Sequence, residues 1–212
     1  MTINRKSAAQ RERAALVTTM RGVGPGQATL CGDWTTRDLA AHLVVRERRL
    51  DAAPGILIPR FADYTERVQN QVAAENDWNV LLDQIASGPP LFSPFKLLDP
   101  FVNVAEMFIH HEDVRRAVSG WEPRVLDDDM TSALAKQVSL MARMTMSKSP
   151  AHVSLRTPDG TTLTALGKGA TVVITGDPGE LLMFISGRDE AKLTFSGDDD
   201  AVVAVRGGKR GL

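Results

Sequence analysis

This chain of 212 residues has a single cysteine, Cys31, a scarcity that excludes an internal disulfide framework and any cysteine-rich zinc site. Nothing in it requires an oxidising compartment. It also lacks an excess of either charge. The formal net charge is −1, and basic and acidic residues are scattered along the chain. That balance excludes the concentrated positive footprint of a nucleic-acid binder and a basic patch for a membrane surface. No apolar run approaches the length of a bilayer span. The opening Met1-Thr2-Ile3-Asn4-Arg5-Lys6 has no apolar centre of the signal-peptide kind, so the expected location is cytoplasmic. Internal repeats and low-complexity segments are absent. The length suits one domain, or one domain with a small appendage, and is enough to bury a sizeable core.

What is present falls into two textures. Helical periodicity covers Ser7 to Arg21, Thr36 to Leu50, Phe61 to Ala73, Asp77 to Ser87, Pro100 to Ser119 and Asp128 to Met146, with Gly- and Pro-bearing breaks between them. After Pro150 come short β-prone runs, His152 to Arg156, Thr161 to Ala165, Ala170 to Thr175 and Ala191 to Ser196. Two short helices, Pro178 to Ser186 and Asp198 to Val205, interrupt or close them. The expected class is therefore α+β: a helical bundle over 1–148 and a small α+β unit over 149–212. One helix start is unusually well marked. Thr35 and Asp38 form a capping box, with Trp34 and Leu39 at the two staple positions.

Three polar side chains stand out in this apolar setting. Leu39, His42, Leu43 and Leu50 fall on one helical stripe, which turns His42 inward. The later helix is apolar nearly all round, and Glu106 and His110 lie one above the other on it at a spacing of four. A buried carboxylate without a cation is costly, and neutral imidazoles cannot supply one, whereas a divalent ion would. Two imidazoles and one carboxylate suit zinc and leave a fourth position open, as in catalytic rather than structural sites. Nickel and iron accept the same donors.

Other candidates have competing explanations. Asp113, three residues after His110, is placed to accept a hydrogen bond from the ring or to touch a substrate; equally it could pair at the surface with Arg116 or Arg37. His111 is turned about 100° away from His110 and reads as an ordinary polar residue. Asp38 is explained by its capping role. Arg46, one turn after His42, could meet an anionic carboxylate, but the favoured expectation is that it extends to solvent. Cys31 precedes a helix start but has no histidine near it in sequence, and reads as a small buried hydrophobe. The runs Asp127-Asp128-Asp129 and Asp198-Asp199-Asp200 sit where helices begin and fit capping rather than a calcium loop. Gly22-Val23-Gly24-Pro25-Gly26 and Gly167-Lys168-Gly169 lack the context of a phosphate loop and read as turns.

The run Cys31-Gly32-Asp33-Trp34-Thr35-Thr36-Arg37-Asp38-Leu39-Ala40-Ala41-His42-Leu43, followed by Glu106-Met107-Phe108-Ile109-His110-His111-Glu112-Asp113, resembles the mycothiol-dependent maleylpyruvate isomerase family of the DinB-like metalloprotein superfamily. The segment from Gly176-Asp177-Pro178-Gly179-Glu180-Leu181 to Ser186-Gly187-Arg188 is similar to the small domain that follows the bundle in that family, itself resembling sterol-carrier-type domains. The resemblance implies a DinB-like four-helix bundle holding a divalent metal, usually zinc, on His42, Glu106 and His110, the three residues reached independently above. It implies mycothiol as a thiol cosubstrate and a small electrophile as its acceptor, in an isomerase or thiol transferase. It also implies that the C-terminal unit closes one side of the cleft, with Arg188 as its inward cation beside Arg46; a turn ion pair with Asp189 or Glu190 is the competing reading of Arg188. The segment Pro89-Pro90-Leu91-Phe92-Ser93-Pro94-Phe95 looks particular to a subgroup.

The expected partners are thus a small-molecule thiol and an electrophilic substrate, with no nucleic acid and no membrane, in a monomer or homodimer. Two other functions fit the same residues. One is a non-catalytic, metal-stabilised protein that binds a small molecule; the other is a metal-dependent hydrolase acting on water without a thiol.

Overall fold

The computed structural model describes residues 6–56, 58–90 and 103–211, and among them the chain is α+β, with eight α-helices and one four-stranded sheet. Pro100 and Val102 of the expected fifth helix, and Leu91 to Phe95 of the Pro-rich segment before it, lie outside the described residues. Two compact units divide the chain, Met1–Trp121 and Glu122–Leu212. No described helix is long and apolar enough to cross a membrane.

The first unit holds α1 (Ala8–Val23), α2 (Thr36–Arg48), α3 (Ala62–Glu75), α4 (Trp78–Ala86) and α5 (Asn103–Arg115). Both α1 and α2 start on capping boxes, Ser7 with Gln10 and Thr35 with Asp38, so two orphan N–H groups at each end are satisfied reciprocally. One core joins Leu16, Val17 and Met20 of α1, Leu39 and Leu43 of α2, Leu81, Leu82 and Ile85 of α4, and Met107 and Val114 of α5, with Trp34 packed against it. Burying such side chains stabilises the unit by roughly 1.5–3 kcal/mol each.

Charged groups are also drawn into this unit, always in pairs. Arg13 grips Glu47 with both terminal nitrogens, at 2.9 and 2.5 Å, and donates to the Ile85 carbonyl at 3.0 Å, tying α1 to α2 and α4. Glu12 lies 2.7 Å from His111 Nδ1, and Thr19 lies 2.8 Å from His111 Nε2, tying α1 to α5. This fixes His111 as a bridging residue and not a ligand. Leu50 departs from the expected stripe: α2 ends at Arg48, Arg49 leaves helical geometry at φ −114° and ψ 79°, and Leu50 is 42 % exposed.

The second unit holds α6 (Asp128–Thr145), β1 (His152–Arg156), β2 (Thr162–Leu166), β3 (Thr171–Thr175), α7 (Pro178–Ile185), β4 (Thr194–Gly197) and α8 (Asp199–Gly207). The strand order is β2-β1-β3-β4, with β1 parallel to β3 and the two outer pairings antiparallel. Val153 and Leu155 alternate inward on β1, as Val172 and Ile174 do on β3, and α7 is buried on all sides. The helix α6, grouped by its periodicity with the helices before it, packs on α7 and β2. Asp127 and Asp198 cap α6 and α8 by accepting from the N–H groups of Met130 and Ala201, at 2.8 and 2.9 Å, as the acidic runs suggest.

Candidate metal centre

Helix α2 carries His42 two turns beyond its Thr35 cap, where Thr35 N donates to Asp38 Oδ2 at 2.8 Å. The cap fixes the rotation of the helix, and so the direction of His42. The residue is 8 % exposed, and its ring centroid lies 5.1 Å from that of Trp34 and 5.4 Å from that of His110. Across from it, α5 presents Glu106 and His110 on one stripe. Glu106 Oε1 is 3.7 Å from His42 Nε2 and 3.3 Å from His110 Nε2. One donor atom from each of the three residues lies within 4.8 Å of the others. Tetrahedral bonds of about 2.1 Å place neighbouring ligand atoms roughly 3.4 Å apart, so the spacing fits a zinc-sized ion.

His110 has a second side. Its Nδ1 lies 2.9 Å from Asp113 Oδ2, and the Cys31 Sγ–H donates to the same oxygen at 3.0 Å. An ionised carboxylate only accepts, so Nδ1 carries a proton and donates it to Asp113. Asp113 is fully buried, which removes the surface ion pair as its explanation. Cys31, His110 and Asp113 also group closely enough to suggest a second metal site. Their separations of 2.9 and 3.0 Å are hydrogen-bonding distances, shorter than the roughly 3.4 Å ligands keep around a shared ion.

Arg46 corrects the expectation that it extends to solvent. It is buried, its Nε sits 3.1 Å from Glu106 Oε1, and it donates to Asn103 Oδ1 at 2.8 Å. Glu106 therefore has a protein cation beside it, and the argument that only a metal could compensate its charge does not hold. The metal reading rests instead on the donor geometry. Asn103 escaped the sequence reading although its spacing of three from Glu106 puts it on the same stripe.

The charges follow from these contacts. Burial pushes the Glu106 carboxyl upward, but Arg46, His110 and His42 overcome that and hold it well below its ordinary range. Burial lowers His42, which favours the neutral imidazole a metal needs. Burial also opposes the charged form of His110, yet Asp113, Cys31 and Glu106 together raise it well above the ordinary histidine value. That direction favours the doubly protonated ring, whose Nε2 proton would lie where a metal would bind.

The predicted residues His42, Glu106, His110, Asp113 and Arg46 are thus brought together in the first unit. Arg188 belongs to the second unit, where it donates to the Ser186 carbonyl at 2.6 Å. Asp189 forms an ion pair with Arg210, 21 residues further along the chain.

No family model matches the chain, and no curated protein matches it. Two solved structures do. The crystal structure of the mycothiol-dependent maleylpyruvate isomerase superposes with a TM-score of 0.56 at 15 % identity, covering 89 % of this chain and 88 % of that one. A histidine-to-alanine mutant of the mycothiol-dependent maleylpyruvate isomerase gives 0.58 at 16 % identity, over 89 % and 90 %. Likeness at this identity establishes a shared fold.

Proposed function

We propose that the chain is a metal-dependent enzyme of the mycothiol-dependent isomerase and thiol S-transferase type, holding a low-molecular-weight thiol for addition to a small electrophile. The observation that carries this is the convergence of one donor atom each from His42, Glu106 and His110 within 4.8 Å of one another, in a fold shared with an isomerase of that kind. Zinc matches the donors and the spacing. When bound, such an ion supplies the Lewis acidity that keeps a thiol ionised at neutral pH.

The chain's own groups do the rest. His42 offers a neutral ring nitrogen and Glu106 a negative oxygen. Asp113 keeps a proton on Nδ1 of His110, which leaves Nε2 as the nitrogen for a metal. Arg46, held by Glu106 and Asn103, sets a guanidinium beside the donors, where it would pair with a carboxylate of the electrophile. The same reading takes the first helices as a DinB-like bundle, the C-terminal unit as sterol-carrier-like, and the protein as a cytoplasmic monomer or homodimer.

The test is elemental mass spectrometry on protein purified without a metal-binding tag, wild type beside Glu106→Ala. We expect about one equivalent of zinc in wild type and its loss in the variant. Wild-type protein that stays metal-free after dialysis against zinc would sink the proposal. Turnover of an electrophile with mycothiol present and none without it then separates a thiol enzyme from a hydrolase.

The Arg46–Glu106 pair favours a second reading, because it partly satisfies the carboxylate without a metal. In that reading the cluster is structural and the protein binds a small molecule without turning it over.

A further inference from the structure

Cys31 lies in a loop that folds back on α5. An isolated bridge joins Ala28 to Thr35, and Gly32 turns the chain at φ 62°. Inside the loop, Trp34 N donates to the Cys31 carbonyl at 3.2 Å and Cys31 N donates to Thr29 Oγ1 at 3.1 Å. Two consecutive residues then address Asp113. Leu30 N donates to its backbone carbonyl at 3.0 Å, and the Cys31 thiol donates to its carboxylate at 3.0 Å. The loop is thus pinned to α5 at the residue that holds His110.

The thiol sits on the wrong side of the ring to be a nucleophile. It is 3.9 Å from His110 Nδ1, whereas Glu106 faces Nε2, and the two ring nitrogens point apart. What the thiol does reach is the Asp113 oxygen that accepts from Nδ1. A buried carboxylate has other rotamers, and one that turned Oδ2 away would release the Nδ1 proton and free the ring to rotate.

We infer that Cys31 is a positioning residue of the metal centre, its thiol holding the Asp113 carboxylate where it orients His110 with Nε2 toward the metal. This rests on the metal-site reading above. It assigns a task to a residue whose sequence context suggests only packing.

The test compares wild type, Cys31→Ala, Cys31→Ser and Asp113→Asn as full-length proteins. Zinc affinity is read by competition with a chromogenic chelator. Water exchange of the His110 Nδ1 proton is read by NMR in the metal-free proteins. We expect zinc affinity to fall about 3- to 10-fold in Cys31→Ala and about 10- to 100-fold in Asp113→Asn, the range typical of groups that orient metal ligands. Cys31→Ser, which keeps a donor, should stay within about twofold of wild type. The Nδ1 proton should exchange faster in the alanine variant and not in the serine one. Unchanged affinity and exchange in Cys31→Ala would overturn the inference. Equal losses in the alanine and serine variants would also overturn it, since they would assign the effect to packing. If wild type binds no zinc the metal reading fails, and the exchange measurement still decides whether Cys31 holds Asp113 on His110.

Discussion

Glu106 Oε1 faces three nitrogens, Arg46 Nε at 3.1 Å, His110 Nε2 at 3.3 Å and His42 Nε2 at 3.7 Å. Their charges make the metal-free protein sensitive to pH in ways that differ in sign. The carboxyl of Glu106 is held below its ordinary 4.5, so it stabilises the fold above that value and the contribution is lost as pH falls from 4.5 through the lowered folded value. His110 is raised, so its contribution is complete below 6.5 and is lost as pH rises through the folded value. His42 is lowered, so it disfavours folding as pH falls below 6.5. The two imidazoles therefore oppose each other, and within this cluster Glu106 and His42 both act on the acid side. Replacing Glu106 by Gln removes the carboxylate's part. The urea midpoint of metal-free wild type should fall more steeply below pH 4.5 than that of Glu106→Gln. Parallel profiles would show that Glu106 is not held ionised by its neighbours.

At the scale of elements, α2 matters most, because its register aims His42 and Arg46 at once. Thr35 sets that register through a local pattern of four residues, so Thr35→Ala should cost about 1 kcal/mol in urea unfolding, and zinc affinity should weaken with it. A loss of stability with unchanged zinc affinity would show that the core, through Leu39 and Leu43, fixes the helix without its cap. Features of this short range were readable in the chain: the capping box, the inward turn of His42 and the Glu106/His110 stripe. Periodicity records which face is buried but not what it meets. That is why the burial of Glu12 and Arg13 on α1 was invisible, their partners being 99 and 34 residues away. Arg46 was misjudged for the same reason, since its partners Asn103 and Glu106 belong to another helix. The loop around Cys31 adds a case in which no periodic signal exists, and only the folded backbone brings the thiol to Asp113.

At the scale of the molecule, all the candidate ligands and all three tryptophans, Trp34, Trp78 and Trp121, fall within Met1–Trp121, while the sheet belongs to Glu122–Leu212. Tryptophan emission therefore reports on the unit that carries the site. Trp34 is the most direct reporter, its ring being 5.1 Å from that of His42. A ligand that binds only the folded form adds stability in proportion to the logarithm of its concentration over Kd, about 2.7 kcal/mol at a hundredfold excess. Zinc at that excess should move the tryptophan-monitored urea transition by about this amount in wild type, and by nothing in Glu106→Ala. The variant must be compared with itself, with and without zinc, since deleting the carboxylate also removes the ion pair with Arg46 and lowers its baseline stability. A zinc-dependent shift of the same size in both proteins would place the ion away from Glu106 and dismantle the centre at His42, Glu106 and His110.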